Sequence, residues 1–303
     1  MKVAALDLGT NTFLCLIAEG SAQTGIAKVH KDLAQVVRLG QGVDKTGAFH
    51  PDALERARLC LQEFKKEIEK AQVDVVLAMA TSAARDAQNG AELFKIGHDL
   101  GIPIQIIPGE DEARITYQGA TAGISGENKT VLVVDVGGGS TELIVGRNNS
   151  ILWSKSFNIG GVRLTEKFIS QQPVSVAEQD ALKKYILQIL NPDLPALRNY
   201  KIDQIIAVAG TPTSIAALEV GGFSEEKVDG FVLSQEKLLS WQKEFANSSV
   251  EEKKMRYQLG GRADIIYAGA SILLSTLETL GISRMTVSTK GVRYGVALEM
   301  LRT

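Results

Sequence analysis

Val131-Leu132-Val133-Val134-Asp135-Val136-Gly137-Gly138-Gly139-Ser140-Thr141-Glu142 is the stretch that decides the fold. Four aliphatic residues read as a buried strand, which runs into an acid and three consecutive glycines. Residues 142–146 then return as a second strand. The same figure stands at the start of the chain: Val3-Ala4-Ala5-Leu6 leads into Asp7-Leu8-Gly9-Thr10-Asn11-Thr12, and residues 13–18 are apolar again. Asp7 to Asp135 is a displacement of 128 (135 − 7). A second signature recurs with it. The strand at 73–80 runs into Thr81-Ser82-Ala83-Ala84-Arg85, and the strand at 205–209 into Gly210-Thr211-Pro212-Thr213-Ser214, displaced by 130 (211 − 81). Two different strand-to-loop signatures, in the same order at nearly one displacement, imply a duplicated α/β domain whose copies face one another.

The intervening sequence fills in the first copy. His50-Pro51 opens a long helix in which Leu54, Ala57, Leu61, Phe64 and Ile68 fall on one face at three-and-four spacing. Residues 102–107 form a short strand stopped by Pro108-Gly109, and a helix begins with Glu110-Asp111-Glu112. In the second copy Pro212 suits a first helical position with Thr211 as its N-cap. The polar, glycine-rich segment 121–129 marks the domain boundary, giving 1–124 and 125–290. Residues 221–255 carry mixed charge and weak periodicity and receive no assignment.

Composition narrows the function classes. The 303 residues allow two domains, and 45% hydrophobic with 22% charged residues supplies each with an ordinary core. With 33 Lys+Arg against 35 Asp+Glu, the net charge of −2 excludes the basic footprint of a nucleic-acid or anionic-membrane binder. An anionic ligand therefore needs a local device: backbone N–H groups, a helix terminus or a metal. Cys15 and Cys60 form no CxxC and read as buried thiols. His30, His50 and His98 show no metal-ligand spacing. No signal-peptide core and no apolar run of about 20 residues occurs, so we expect a cytoplasmic protein.

The glycine run is costly to order and belongs where backbone approaches something bulky. It reads either as a plain hairpin turn or as a cradle: successive N–H donors of Gly137, Gly138 and Gly139, with the Ser140 and Thr141 hydroxyls, can hold phosphate oxygens. Asp135, at the strand end, is placed to hold a divalent cation directly or through water. The partner loop at Asp7 and Gly9 to Thr12 tips the balance toward an anion clamp with an acidic metal position on each side. No Lys follows the glycines, so this is no P-loop. Glu142 stands where a nucleophile elbow needs glycine. Glu110, Asp111 and Glu112 either complement a helix dipole or include a carboxylate that deprotonates water. A base beside bound phosphates has its pKa raised toward a useful range. Arg85 is either a surface or capping residue or a planar fork for a phosphate. Gly210-Thr211 is either an N-cap or the counterpart loop of the second copy.

Taken in order, Asp7 to Thr12, Thr81 to Ala87, Gly109-Glu110-Asp111-Glu112-Ala113-Arg114, Asp135 to Glu142 and Ile159-Gly160-Gly161-Val162-Arg163-Leu164-Thr165-Glu166 resemble the exopolyphosphatase / guanosine pentaphosphate phosphohydrolase family. Arg262-Ala263-Asp264 and Gly291-Val292-Arg293-Tyr294-Gly295 extend the likeness, which spans nearly the whole chain. The resemblance implies an α/β fold of the actin / sugar kinase / Hsp70 ATPase superfamily. That fold comprises two RNase H-like domains with an interdomain cleft, residues 291–303 packing back on the first. It also implies Mg2+-dependent splitting of phosphoanhydride bonds by water. Glu112 then matches the water-activating glutamate, and Asp135 and Glu142 the acidic metal and water positions. Asp7, from the paired-loop reading, is the expected metal position of the first copy. Gly9, Thr10, Asn11 and Thr12 match one phosphate loop, and Gly137 to Thr141 the other. Arg85 matches a phosphate-contacting arginine, and Gly210 and Thr211 a small second-domain loop. The implied partners are polyphosphate or guanosine penta- or tetraphosphate and a second copy in a homodimer.

The sequence departs from that pattern at Thr12, where Ser is common, and at Asp111, where Glu is common. It departs also at Ala209, the first position of what is often Gly-Gly-Thr. A further helical domain carried by longer relatives is not expected in 303 residues. The same fold also admits an ATP-binding, kinase-like enzyme or a non-catalytic alarmone sensor. Glu112, and the lack of any sequence sign of an acceptor-substrate site, speak against the first; Glu112, Asp135 and Glu142 together speak against loss of catalysis.

Overall fold

The computed structural model describes residues 1–123, 128–148 and 150–302. The expected domain boundary at 124/125 lies outside the described residues. The chain divides into two compact units, Met1–Ala122 with Gly291–Thr303, and Gly123–Lys290.

Within the described residues of the first unit, β1 (Lys2–Leu8), β2 (Thr12–Ser21), β3 (Gly25–Val36), β4 (Val75–Ala80) and β5 (Ile104–Ile106) form one sheet in the order β3-β2-β1-β4-β5. The first three strands are an antiparallel meander, and β4 and β5 run parallel to β1. Alternation along β1 divides the core. Ala4, Leu6 and Leu8 pack toward α2 (Pro51–Ala71), whose periodic residues Leu54, Ala57, Leu61, Phe64 and Ile68 are all buried there. Val3 and Ala5 face α14 (Val292–Met300) together with Val292, Tyr294 and Val296. Pro51 opens α2, and the His50 ring accepts from the Asp52 amide at 3.2 Å. Short helices α1 (Val43–Thr46) and α3 (Ser82–Asp86) and the longer α4 (Gly90–Leu100) and α5 (Gly109–Thr121) complete the unit. Cys15 and Cys60 are both fully buried in the α2-side core, and burial pushes each thiol up to about 12.

The first residues of α14 are fixed by a charge pair. Arg293 donates from Nε and Nη2 to the two carboxylate oxygens of Asp32 on β3, both at 2.7 Å, and the Tyr294 hydroxyl joins at 3.3 Å. A planar bidentate pair of this kind fixes direction as well as distance.

In the second unit, β6 (Thr130–Val136), β7 (Thr141–Arg147), β8 (Ser150–Phe157), β9 (Gln204–Val208), β10 (Val232–Ser234) and β11 (Arg284–Val287) form a sheet in the order β10-β11-β9-β6-β7-β8. From β8 inward this repeats the first sheet: an antiparallel meander of β8, β7 and β6, then β9 and β11 parallel to β6. Both sheets therefore have the RNase H-like topology, and its duplication makes this the fold of the actin / sugar kinase / Hsp70 ATPase superfamily. The helices are α6 (Gly161–Phe168), α7 (Val176–Leu190), α8 (Leu194–Leu197), α9 (Gly210–Glu219), α10 (Glu225–Val228), α11 (Gln235–Asn247), α12 (Val250–Met255) and α13 (Ile266–Leu280). Every residue of α13 from Ile266 to Leu277 is buried, so this helix, apolar on all sides, is a central core element. Residues 221–255, left unassigned from sequence, hold α10, β10, α11 and α12. Helix α11 is capped by Ser234 and α12 by a reciprocal Ser249–Glu252 capping box.

The start of α9 differs from the expectation. Thr211 is not the N-cap and Pro212 is not the first residue. The helix begins at Gly210 after Ala209, which has φ 73° and ψ −169°. The register agrees. Val208 pairs with Asp135 as Met79 pairs with Asp7, so the displacement at this strand is 129 (208 − 79), one less than the Thr81–Thr211 match. The cause is backbone conformation: Ala209 turns in the left-handed half of φ space, which draws the next residue straight into the helix.

Candidate active site

In each unit the singled-out residues collect where the parallel strands end, the end at which open α/β sheets bind ligands. In the first unit, Asp7 is the penultimate residue of β1, and its partner on β4, Met79, leads through Ala80 to Thr81 and α3. Strand β5 leads through Ile107 and Pro108 into α5. The Ile107 amide donates to the Ala80 carbonyl at 3.0 Å, which draws the starts of α3 and α5 together. Arg85 on α3 and Glu112 on α5 meet there: Nη1 donates to Glu112 Oε2 at 2.6 Å and to the Ile107 carbonyl at 2.8 Å. The Glu112 side chain is 7% exposed and that of Arg85 23%. Burial pushes the Glu112 carboxyl above the usual carboxylate range, and the Arg85 guanidinium pulls back against it. Glu110 and Asp111 are exposed, as residues that only complement a helix dipole would be.

The loop between β1 and β2 closes with the Gly9 amide donating to the Thr12 carbonyl at 3.2 Å. Its carbonyls are held from behind. Thr10 O accepts from Gly40 N at 2.8 Å, and Asn11 O accepts from the amides of Val37 and Arg38 at 3.0 and 2.8 Å. Thr10 and Asn11 are buried, and the Asn11 Oδ1 atom has no hydrogen-bond partner among the described residues. A buried polar atom left in that state marks a place for a water or a ligand.

The second unit builds the same turn 128 residues later, with Gly137 N donating to Ser140 O at 3.0 Å. Here the carbonyls are captured by the start of α6. Gly161 N donates to Gly137 O at 2.9 Å, Val162 N and Arg163 N to Gly138 O at 2.8 and 3.1 Å, and Arg163 Nε to Gly139 O at 2.8 Å. Among the described residues no acceptor takes the amides of Gly138, Gly139 or Ser140. With every carbonyl turned one way, those N–H groups are turned the other, which is the arrangement of an anion-binding nest. Helix α6 approaches so closely that a Cβ at Gly160 would overlap the Gly138 carbonyl. Thr141, expected to contact phosphate, is fully buried. Its hydroxyl donates to Ile159 O at 2.7 Å, so it fastens the loop's base rather than lining it.

Asp135 and Glu142 are direct partners across the β6–β7 ladder, so their side chains share one face of the sheet. Both are buried, and Glu142 Oε1 accepts from Ser156 Oγ at 2.7 Å. Among the described residues no group of three His, Cys, Asp or Glu could hold a metal alone. Magnesium fits this donor set nonetheless, because it characteristically takes one or two carboxylates and completes its shell with phosphate oxygens and water. Gly210 and Thr211 follow β9 beside Asp135. Gly210 leaves room for the Arg262 guanidinium, which would overlap any Cβ there, and burial brings that guanidinium down to about 10. In the sequence Arg262 stands only within the family pattern; the structure adds it to this strand end.

Residues 16–303 match the Ppx/GppA phosphatase family, and the chain belongs to that family. It is 31% identical over 319 residues to exopolyphosphatase 2 of Mycobacterium tuberculosis, covering 99% of this chain and 98% of that one. It is 32% identical over 304 residues to guanosine-5′-triphosphate,3′-diphosphate pyrophosphatase of Vibrio vulnificus, covering 98% of this chain and 59% of that one. Among solved structures, the Aquifex aeolicus member of the Ppx/GppA family superposes with a TM-score of 0.81 at 31% identity, over 99% and 97% of the two chains. An exopolyphosphatase from Cytophaga hutchinsonii gives 0.90 at 27% identity, over 99% and 98%. No helix among the described residues is long and apolar enough to cross a membrane.

Proposed function

We propose that this phosphatase releases terminal phosphate from linear polyphosphate, or from the 5′ end of a guanosine pentaphosphate, by direct attack of water. The observation that carries this reading is Glu112: a carboxylate buried at a helix start, raised by that burial and oriented by Arg85 at 2.6 Å. Glu112 orients the water and takes its proton as the water oxygen bonds to the terminal phosphorus. The bridging P–O bond breaks, and its electron pair leaves with the shortened chain. The outward amides of each loop, those of Thr10 and Asn11 and those of Gly138, Gly139 and Ser140, are the groups offered to phosphate oxygens. Phosphoryl transfer gains most from such positioning and charge neutralisation. Asp135 and Glu142, with Asp7 as the acid of the first unit, are the residues that would hold Mg2+, which when bound offsets phosphate charge. Gly210 and Thr211 border the second loop.

The test is a phosphate-release assay on short polyphosphate, long polyphosphate and guanosine pentaphosphate, with Mg2+ and with a chelator. Release from at least one of these, dependent on the divalent cation and lost by ~10²–10⁴-fold in Glu112→Gln with substrate binding retained, is the expected result. Full turnover by that variant removes Glu112 from its role.

A further inference from the structure

We propose that Arg85 is a positioning residue that couples phosphate binding to the basicity of Glu112: one nitrogen of its guanidinium holds the carboxylate while its outer edge takes the terminal phosphoryl group. The proposal rests on the reading of Glu112 as the water-activating base. The geometry is specific. Nη1 alone makes both protein contacts, to Glu112 Oε2 and to Ile107 O. Among the described residues Nε and Nη2 have no partner. The guanidinium is the more exposed of the two groups, 23% against 7%, so solvent and ligand meet Arg85 before they meet Glu112. The free Nε–Nη2 edge is the fork that receives two phosphate oxygens in parallel, and the Ile107 carbonyl keeps the plane fixed whether or not they are present.

The consequence is electrostatic. Without phosphate, the positive charge of Arg85 acts on Glu112 and opposes the rise that burial imposes on its carboxyl. A phosphate dianion on the outer edge spends that charge and adds its own field, so Glu112 becomes more basic when a water must give up a proton. The remaining charged groups around α5 do not duplicate this. Glu299 of α14 is paired with Arg114, Arg293 with Asp32, and Glu110, Asp111 and Asp86 are exposed, while Asp7 lies at the end of β1.

The acid limb of kcat/KM reports the free protein and that of kcat the complex. In the wild type the kcat limb should lie at higher pH than the kcat/KM limb. In Arg85→Gln the two limbs should coincide at the higher position, with kcat/KM lower on the order of 10²-fold, the usual loss of one oriented donor. Arg85→Lys keeps the charge but not the fork. It should restore the low kcat/KM limb while KM stays raised about tenfold, a split that a merely structural role would not produce. Coincident limbs in the wild type overturn the proposal. A second measurement needs neither turnover nor the glutamine variant: the carboxyl titration of Glu112, followed by 13C NMR and assigned by difference against Glu112→Gln, with and without saturating inorganic phosphate. An upward move on adding phosphate supports the coupling; a titration that phosphate leaves in place, or failure of phosphate to bind, overturns it. Absence of release from every phosphate substrate would instead overturn the functional reading, and the carboxyl titration would still decide the coupling.

Discussion

Ala209→Gly should make the protein more stable. Ala209 sits at φ 73° and ψ −169°, a region that glycine occupies freely and L side chains scarcely at all, at a cost of about 1–3 kcal/mol. Glycine returns about 0.4–1 kcal/mol of that by giving the unfolded chain more freedom. Ala209 is half-buried, so its methyl contributes little packing. The net gain is then about 1 kcal/mol, or about 2–4 °C in Tm for a unit of this length. The residue is also functionally placed, directly after the partner of Asp135 and directly before Gly210 and Thr211. The departure seen in the sequence, Ala where related chains often carry Gly, is therefore a backbone strain at the mouth of the second loop. Calorimetry on the wild type, Ala209→Gly and Ala209→Val checks it, with the branched residue expected to unfold below the wild type. A glycine variant that melts lower, or a valine variant that melts with the wild type, refutes the argument.

Gly160→Ala adds no backbone strain at φ −159°, but its Cβ would lie 2.5 Å from Gly138 C and 2.6 Å from Gly139 N. Overpacking should cost about 1–3 kcal/mol, and a loop displaced by about 1 Å should lose roughly 10²-fold in kcat/KM; Gly90→Ala, whose Cβ meets nothing nearer than 3.8 Å, should lose neither in the same melts and assays. Asp32→Asn leaves the buried Arg293 guanidinium without its counter-charge and should cost about 3–5 kcal/mol in urea unfolding. Lys253 is fully buried beside Gln172, and burial brings its ammonium down to about 8. Because the folded value lies below the unfolded one, the unfolded chain binds the extra proton between about pH 8 and 10.5. Stability relative to Lys253→Met should therefore rise over that window, and unfolding curves that stay parallel across it would show that the lysine is solvated.

Most of what the sequence discloses rests on strands buried on both sides and on glycines. The paired hairpins at 3–18 and 131–146 stand out because aliphatic runs break at an acid and a turn, and α2 stands out because its buried face recurs every three or four residues. The edge strands β3 and β8 leave no such mark: much of each is solvent-exposed, so lysine, histidine and serine are tolerated and alternation is lost. Helices α10 and α12 within 221–255 are too short for periodicity, yet Ser249 and Glu252 do spell a capping box that announces α12. The loops and acids of the site were legible one at a time. Their pairing was not, because Arg85 and Glu112 are 27 residues apart and Arg293 and Asp32 are 261 apart. Such contacts are made by neighbouring strand ends and by a helix returning from the far end of the chain, and no local spacing encodes either.

The two loops show what the duplication preserved. Their backbone turn is the same, Gly9 to Thr12 and Gly137 to Ser140, and in each the carbonyls are captured from behind so that amides face outward. The glycines differ because the clamps differ. In the first unit Gly40 is the close neighbour, its Cβ position occupied by the Thr10 side chain, so the loop can carry threonine and asparagine. In the second, α6 presses backbone against backbone at Gly160, where a Cβ would overlap the Gly138 carbonyl. Anion binding through amides depends on how the carbonyls are held and not on the number of glycines. That left the loop residues of the first unit free to carry side-chain donors. It left the neighbouring strand position free to diverge, to Leu14 opposite Asp7 in one unit and Glu142 opposite Asp135 in the other. The paired carboxylates thus belong to one copy, and the buried Glu112 with its arginine to the other.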